Sequence, residues 1–94
     1  MLHLIFQSPT SDALLDRIGS GDDVVFLENA VFQINKGCVF LEKLQRLLSD
    51  NVFLYALQEE LTTRGIDVDE SVSVIDYAGL VKLTEKNKII KTWG

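Results

Sequence analysis

Short apolar runs alternate with amphipathic segments along the chain. The runs at 23–27 and 52–57 show little alternation between apolar and polar side chains, which is typical of strands that are covered on both faces. A third apolar run, 2–6, has the length of a strand and ends before Pro9, a residue that removes a backbone donor. The pattern predicts strands at 2–6, 23–27, 52–57, 71–75 and 88–93.

The segments between these runs have helical spacing and end signals. Ser11 or Thr10 is a suitable cap for the first helix, and Asp76 for the last. Gly19 to Gly21 and Gly65 are stop signals. The predicted helices cover 12–18, 30–34, 40–48, 58–64 and 77–86. Strands that alternate with helices favour a parallel sheet with helices on its faces, and 94 residues make one domain, 1–94.

The net charge of the chain limits the classes of partner that it is expected to bind. The formal net charge is −5, which argues against direct binding of nucleic acid or of an anionic membrane, since both need a basic surface. Four of the nine basic residues nevertheless lie near the C-terminus: Lys82, Lys86, Lys88 and Lys91. We interpret these lysines as solvent-exposed residues on the faces of ordinary helices and loops. The alternative is a dipolar surface that orients a subunit in an assembly.

The composition also bears on compartment and on assembly. One cysteine excludes an internal disulfide, and no stretch resembles a signal peptide or a membrane span. We therefore expect a cytoplasmic chain. Because 47% of so small a chain is hydrophobic, part of its apolar surface is expected to be covered by a partner.

Candidate chemistry is sparse. Cys38 follows Lys36 and Gly37 in a loop, where a nearby ammonium favours the thiolate and the cysteine becomes a persulfide candidate. The alternative, a small apolar side chain that packs, is favoured because Val39 and Phe40 follow at once. His3 has no neighbour at metal-ligand spacing, so we predict no catalytic residue, metal or cofactor.

The edge formed by the carboxyl ends of the strands is where open α/β sheets bind ligands. Glu28, Glu59, Glu60 and Asp76 lie at or just beyond predicted strand ends. Capping and solvent exposure explain these carboxylates, and an acid/base pair is the alternative. Trp93, a residue type enriched at interfaces, either closes the edge of the core or inserts into a partner.

An ordered set of short motifs spans the chain and resembles the DsrH/TusB family of sulfur-relay proteins. The motifs are Leu2-His3 with Ser8-Pro9, Leu27-Glu28-Asn29-Ala30-Val31, Leu54-Tyr55-Ala56-Leu57, Arg64-Gly65, Ile75-Asp76-Tyr77, Val81-Lys82-Leu83-Thr84 and Trp93. The resemblance implies a three-layer α/β/α sandwich with a mainly parallel sheet of about five strands. It also implies TusC-like and TusD-like partners in a cytoplasmic heterohexamer, which passes persulfide sulfur for 2-thiolation of the tRNA wobble uridine.

Within that family, the relay's catalytic cysteine belongs to the TusD-like subunit, and the DsrH branch has its own cysteine near the first helix. Residues 12–20 contain no cysteine here. The resemblance therefore implies a subunit that is not catalytic by itself, with partner contacts expected at Glu28, Glu59 and Trp93. Whether the isolated chain forms homo-oligomers stays open.

Two alternatives remain at this point. In one, Cys38 carries sulfur in a DsrEFH-like complex of sulfur oxidation. In the other, the chain acts alone and binds a small anion at the carboxyl edge of the sheet. An edge packed shut would remove the second alternative.

Overall fold

The computed structural model describes residues 1–93 and has an α/β fold. The strands are β1 (Leu2–Ile5), β2 (Asp23–Phe26), β3 (Phe53–Leu57), β4 (Ser73–Ile75) and β5 (Ile90–Trp93). The helices are α1 (Asp12–Leu15), α2 (Phe40–Ser49), α3 (Gln58–Arg64) and α4 (Tyr77–Lys86), and a 3₁₀ helix, Glu28–Ile34, precedes α2.

Within residues 1–93, the five strands form one sheet in the order β4-β3-β2-β1-β5, and every neighbouring pair is parallel. In the register, Val24 lies opposite His3 on one side and Leu54 on the other. The expected parallel sheet of about five strands is thus confirmed.

Helices cover the two faces of the sheet unequally. The first face carries the 3₁₀ helix and α1 to α3, whose side chains Leu15, Ile34 and Leu61 share one buried cluster with β2 side chains such as Phe26. The second face carries α4, where Leu83 packs on a smaller cluster. Alternation along β2 decides which side chain goes where: Val24 and Phe26 point to the first face, Val25 to the second.

Several predicted helix ends are confirmed. The Ser11 side chain accepts a hydrogen bond from the Leu14 amide, and Asp76 accepts one from Gly79 at 2.9 Å. Gly65 ends α3 with φ of 65°, a left-handed conformation that glycine adopts without steric cost. Helices α3 and α4 have the predicted bounds.

Other boundaries were predicted wrongly. Helix α1 ends at Leu15 and not at Ile18, because the amides of Arg17 and Ile18 bond to carbonyls three residues back, which tightens the chain into turns. The Gly19 to Gly21 segment therefore lies in the loop beyond these turns. Strand β4 starts at Ser73 and not at 71, because Ser71 is held in a turn by the Asp69 carboxylate.

The remaining differences are smaller. The helix predicted at 30–34 begins at Glu28 and is a 3₁₀ helix. Strand β5 starts at Ile90 instead of 88. Strands β1, β2 and β3 are each one residue shorter than predicted, and α2 extends one residue further, to Ser49.

Candidate functional site

A cleft opens at the carboxyl ends of β1 and β5. The chain moves from β1 outward through β2, β3 and β4, then returns to place β5 on the other side of β1. Such a reversal is the point where open α/β sheets bind ligands. The cleft has a volume of about 410 Å³. Its lining residues are Ile5, Gln7, Pro9, Thr10, Ser11, Ala13, Leu14, Arg17 and Trp93.

Buried Gln33 holds the loop that forms one wall of this cleft. Its Oε1 accepts a hydrogen bond from the Thr10 amide at 2.9 Å. Its Nε2 donates to Thr10 Oγ1 at 2.5 Å and to the Gln7 carbonyl at 3.2 Å. The Ser8–Pro9 peptide bond in this loop is cis. The 3₁₀ helix on which Gln33 lies thus fixes the path of the chain from β1 to α1.

A hydrogen-bond chain from Trp93 through His3 to Asp22 fixes the opposite wall. The indole Nε1 of Trp93 donates to His3 Nδ1 at 3.1 Å, so the proton of a neutral His3 lies on Nε2 and is donated to Asp22 Oδ2 at 2.9 Å. His3 is fully buried, and the two rings are nearly parallel, 15° apart. Sequence reasoning placed His3 in a strand but did not foresee these partners.

The Asp22 carboxylate accepts several hydrogen bonds that favour its ionised form. Burial raises the pKa of its carboxyl, but hydrogen bonds from His3, the Gly19 amide and the N-terminal ammonium together lower the pKa below its ordinary value. The Gly19 amide lies 2.9 Å from Oδ2 and the Met1 ammonium 3.2 Å from Oδ1. Asp22 therefore links the chain's first residue to the wall of the cleft.

Two cations stand beside the Trp93 indole. The Arg17 guanidinium carbon lies 6.0 Å from the ring centroid, and the Lys91 ammonium lies 5.1 Å from it. Both distances permit a cation–π attraction. Arg17 follows α1 and was not singled out from the sequence, because a lone arginine after a helix gives no signal until the fold places it beside β5.

A second polar cluster lies on the second face, at the start of β2. Asp23 is fully buried, and its Oδ2 accepts from Asn87 at 3.0 Å and pairs with the Lys86 ammonium at 3.2 Å. Its Oδ1 has no hydrogen-bond partner among the described residues. Burial raises the pKa of the nearby Tyr55 phenol, and the Asp23 carboxylate raises it further, while Lys86 opposes the change.

Cys38 lies away from the cleft lining, in the loop before α2. The thiol is half-buried, and Sγ donates to the Phe32 carbonyl at 3.4 Å. Lys36, which the sequence suggested as its activator, pairs with Asp67 at 3.7 Å. Gly37 has φ of 84°, so the turn in front of Cys38 has a conformation that favours glycine.

The expected partner-contact residues lie at the same edge of the sheet but not together. Glu28 begins the 3₁₀ helix at the end of β2, with φ of 50°. Glu59 lies in the first turn of α3, directly after β3. Both glutamates are exposed. Trp93 lies across β1 on the outer strand β5, so any surface that includes all three residues spans the width of the edge.

Residues 1–93 lack two other kinds of feature. No group of three or more His, Cys, Asp or Glu side chains is placed to hold a metal ion. Over the same range, every helix is too short or too polar to cross a membrane.

Comparison with known proteins gives consistent results. A family model described as DsrH like protein matches residues 5–89. Proteins named Protein TusB are 38% identical in Buchnera aphidicola, 36% in Serratia proteamaculans and 33% in Escherichia coli K12, over 99% of this chain and 100% of each relative.

A solved structure shares the fold. A protein of unknown function from Methanobacterium thermoautotrophicum, MTH1491, superposes with a TM-score of 0.75, covering 98% of this chain and 96% of that one. The two sequences are 16% identical, so the likeness concerns the fold alone.

Proposed function

Because the chain belongs to the DsrH family, we propose that it is a non-catalytic subunit of a sulfur-relay complex that serves 2-thiolation of the tRNA wobble uridine. Kinship with proteins named TusB supports a sulfur-relay role in tRNA thiolation at the level of the family. The proposed partners are TusC-like and TusD-like subunits in a cytoplasmic heterohexamer.

The observation that carries the proposal of a subunit is the incomplete cover of the second face. We define the second-face patch as Phe53, Tyr77, Val81 and Ile90, whose side chains are 44%, 57%, 53% and 44% exposed. Phe53 points to this face because it lies two residues before Tyr55, which packs on the smaller cluster, and Ile90 does so because it pairs opposite Leu2 of that cluster. Tyr77 and Val81 lie one turn apart on α4. Apolar side chains that stay exposed along a partly covered face offer surface that a partner can bury.

Charge indicates which partner surface fits the patch. Lys82, Lys86 and Lys88 lie on or next to α4, and all three are exposed. The chain as a whole carries a net charge of −5, whereas segment 77–88, which also holds the exposed Glu85, carries +2 (three lysines and one glutamate). A partner subunit with an apolar area bordered by carboxylates complements it, because matched potentials favour the correct encounter and orientation.

The test is co-purification of the full chain with its TusC-like and TusD-like neighbours, with one matched pair of variants. Val81→Glu places a charge in the second-face patch. Val39→Glu places the same charge at a valine that is 74% exposed in the loop before α2. We expect wild type and Val39→Glu to co-purify with both partners, and Val81→Glu to lose at least about tenfold in affinity, since an unpaired charge in an apolar contact is costly.

Different failures separate the two parts of the proposal. A wild-type chain that ignores both partners contradicts the proposed function. A complex that survives Val81→Glu but is lost with Val39→Glu leaves the function in place and moves the interface to the loop before α2.

The position of Cys38 supports a subunit that does not carry sulfur. Its thiol is half-buried and bonded to a carbonyl, outside the cleft lining. We expect relay by the assembled complex to be unimpaired with Cys38→Ser. Mass spectrometry that finds added sulfur on Cys38 after incubation with a donor, together with a relay lost in Cys38→Ser, would replace this role with that of a carrier.

A further inference from the structure

The cleft between β1 and β5 has the size and position of a ligand site. Its volume of about 410 Å³ lies within the range of pockets that bind small molecules, roughly 300–1,000 Å³. It is not packed shut by α1, which is only four residues long and leaves the carboxyl ends of β1 and β5 open above it.

The apolar wall of the cleft is fixed before any ligand arrives. Trp93 is half-buried, and its one ring donor is committed to His3, which is itself held by Asp22. Leu14 and Ile5 add further apolar surface. A side chain locked by hydrogen bonds loses little conformational entropy when a ligand packs on it.

Two cations, Arg17 and Lys91, lie at the cleft. Among the residues that the structure describes, Arg17 and Lys91 form no ion pair, whereas the surface cations Lys43 and Arg46 do. Arg17 lines the cleft directly. Lys91 and Trp93 are two residues apart on β5 and point to the same side of the sheet. An anion bound here therefore does not have to displace a carboxylate of residues 1–93 from either cation.

The remaining donors select the kind of anion. The Thr10 amide is taken by Gln33, and the Ser11 hydroxyl accepts from the Leu14 amide. Phosphate sites are usually cradled by several backbone amides, and in this wall the Thr10 amide is already taken by Gln33. A guanidinium fork matches the two oxygens of a carboxylate, and the indole beside it suits an apolar group.

We propose that this cleft binds an organic carboxylate, with the carboxylate on Arg17 and the apolar part of the ligand against the Trp93 indole. A free small acid and the terminal carboxylate of a peptide share this chemistry. The site is separate from the second-face patch, so it stands or falls independently of the subunit interface.

Trp93 is the only tryptophan of the chain, so its fluorescence reports on the cleft. We would titrate the full-length chain with 4-methylpentanoate, with its neutral amide, and with N-acetyl-glycyl-leucine, each to about 10 mM, a range that captures weak ligands. The Trp93 indole N–H resonance in NMR spectra gives a second readout. We expect saturable changes with the acids and at least about tenfold weaker binding of the amide.

The small acid and the peptide distinguish the source of the carboxylate. Equal binding of the two acids assigns the site to a small acid group, and binding of the peptide alone assigns it to a chain terminus. Both results support the site. Absence of saturation with every probe overturns the proposal, as does an amide that binds as tightly as its acid.

A matched pair of variants tests the role assigned to Arg17. Arg17→Gln removes the guanidinium charge but keeps a polar, shorter side chain, and Lys82→Gln removes an exposed charge from α4. We expect binding at least about tenfold weaker with Arg17→Gln, an unchanged urea midpoint for both variants, and wild-type affinity with Lys82→Gln. Wild-type affinity in Arg17→Gln, or equal losses in the two variants, would contradict the proposal.

Discussion

The two faces of the sheet differ in how completely they are covered. In the described chain, the first face buries fifteen apolar side chains beneath α1, the 3₁₀ helix, α2 and α3, and the second buries five beneath α4. The first face therefore supplies most of the buried core, although Val74, which pairs opposite Ala56 at its edge, is 44% exposed. On the partly covered second face, apolar side chains remain exposed to solvent. A partner subunit can bury this apolar surface.

The strand order explains this difference. Crossovers between parallel strands are right-handed almost without exception, so the direction of each step decides which face receives its helix. Three successive steps, from β1 to β4, run in one direction, and the step from β4 to β5 runs in the other. The helices of the first three connections therefore lie on the first face. The second face is covered by one ten-residue helix, α4.

Truncating one phenylalanine on each face tests whether the two faces contribute unequally to the stability of the fold. Phe26 is fully buried on the first face and packs edge-on against Phe40, with ring centroids 6.4 Å apart. Phe53 is 44% exposed on the second face. We expect Phe26→Ala to lower the free energy of unfolding by about 3–5 kcal/mol, because it leaves a cavity, and Phe53→Ala by about 1 kcal/mol or less.

Urea unfolding of the isolated chain measures both changes, provided that the slope of the unfolding free energy against urea concentration is the same in wild type and variants. Similar losses for the two phenylalanines would show that the second face contributes as much to the fold as the first, and would weaken the case for a partner there.

The ion pair on the second face should have a smaller effect. Lys86→Met keeps the aliphatic stem but leaves the buried Asp23 carboxylate with the Asn87 amide as its remaining described donor. We expect a loss of about 1–2 kcal/mol in unfolding free energy, because a charged hydrogen bond is lost and the ammonium group is already largely exposed. Lys82→Met, which removes an exposed charge one turn earlier on α4, is the control and should change stability by less than about 0.5 kcal/mol.

The smallest predicted effect is the acid sensitivity of Asp22. Because its folded-state pKa lies below the ordinary value, the unfolded chain takes up the proton first as the pH falls. The stabilisation is complete above the unfolded pKa, about 3.9, and is lost as the pH falls through the folded pKa. We expect Asp22→Asn to flatten the decline of the urea midpoint below about pH 4. Asp16→Asn, which removes an exposed carboxylate, should keep the wild-type decline.

Local signals predicted most of the elements but not all of their ends. The capping side chain of Asp76 and the left-handed Gly65 fixed the bounds of α4 and α3, because those signals act within one turn of the helix. The end of α1 was mispredicted because the apolar spacing continues to Ile18, while the actual chain tightens into turns at Arg17. Apolar spacing indicates which side chains are buried. It does not indicate which backbone hydrogen bonds the segment forms, and these decide where the helix ends.

The cleft shows the same limit more clearly. The sequence indicated that ligands and partners meet at the carboxyl edge, since every α/β sheet has such an edge. It did not indicate Arg17 or the partners of His3, because these contacts join residues that are far apart in the chain. His3 and Trp93 are 90 positions apart and meet only because β5 pairs with β1.

The sequence by itself determined the strand and helix segments, the parallel sheet and the family, because each rests on short-range patterns and their order along the chain. The tertiary structure alone decided the strand order. From that order followed which face stays partly uncovered, which cations flank Trp93 and which carboxylates are buried. Those properties depend on contacts between distant segments, and a pattern of neighbouring residues carries no information about which distant segments will pair.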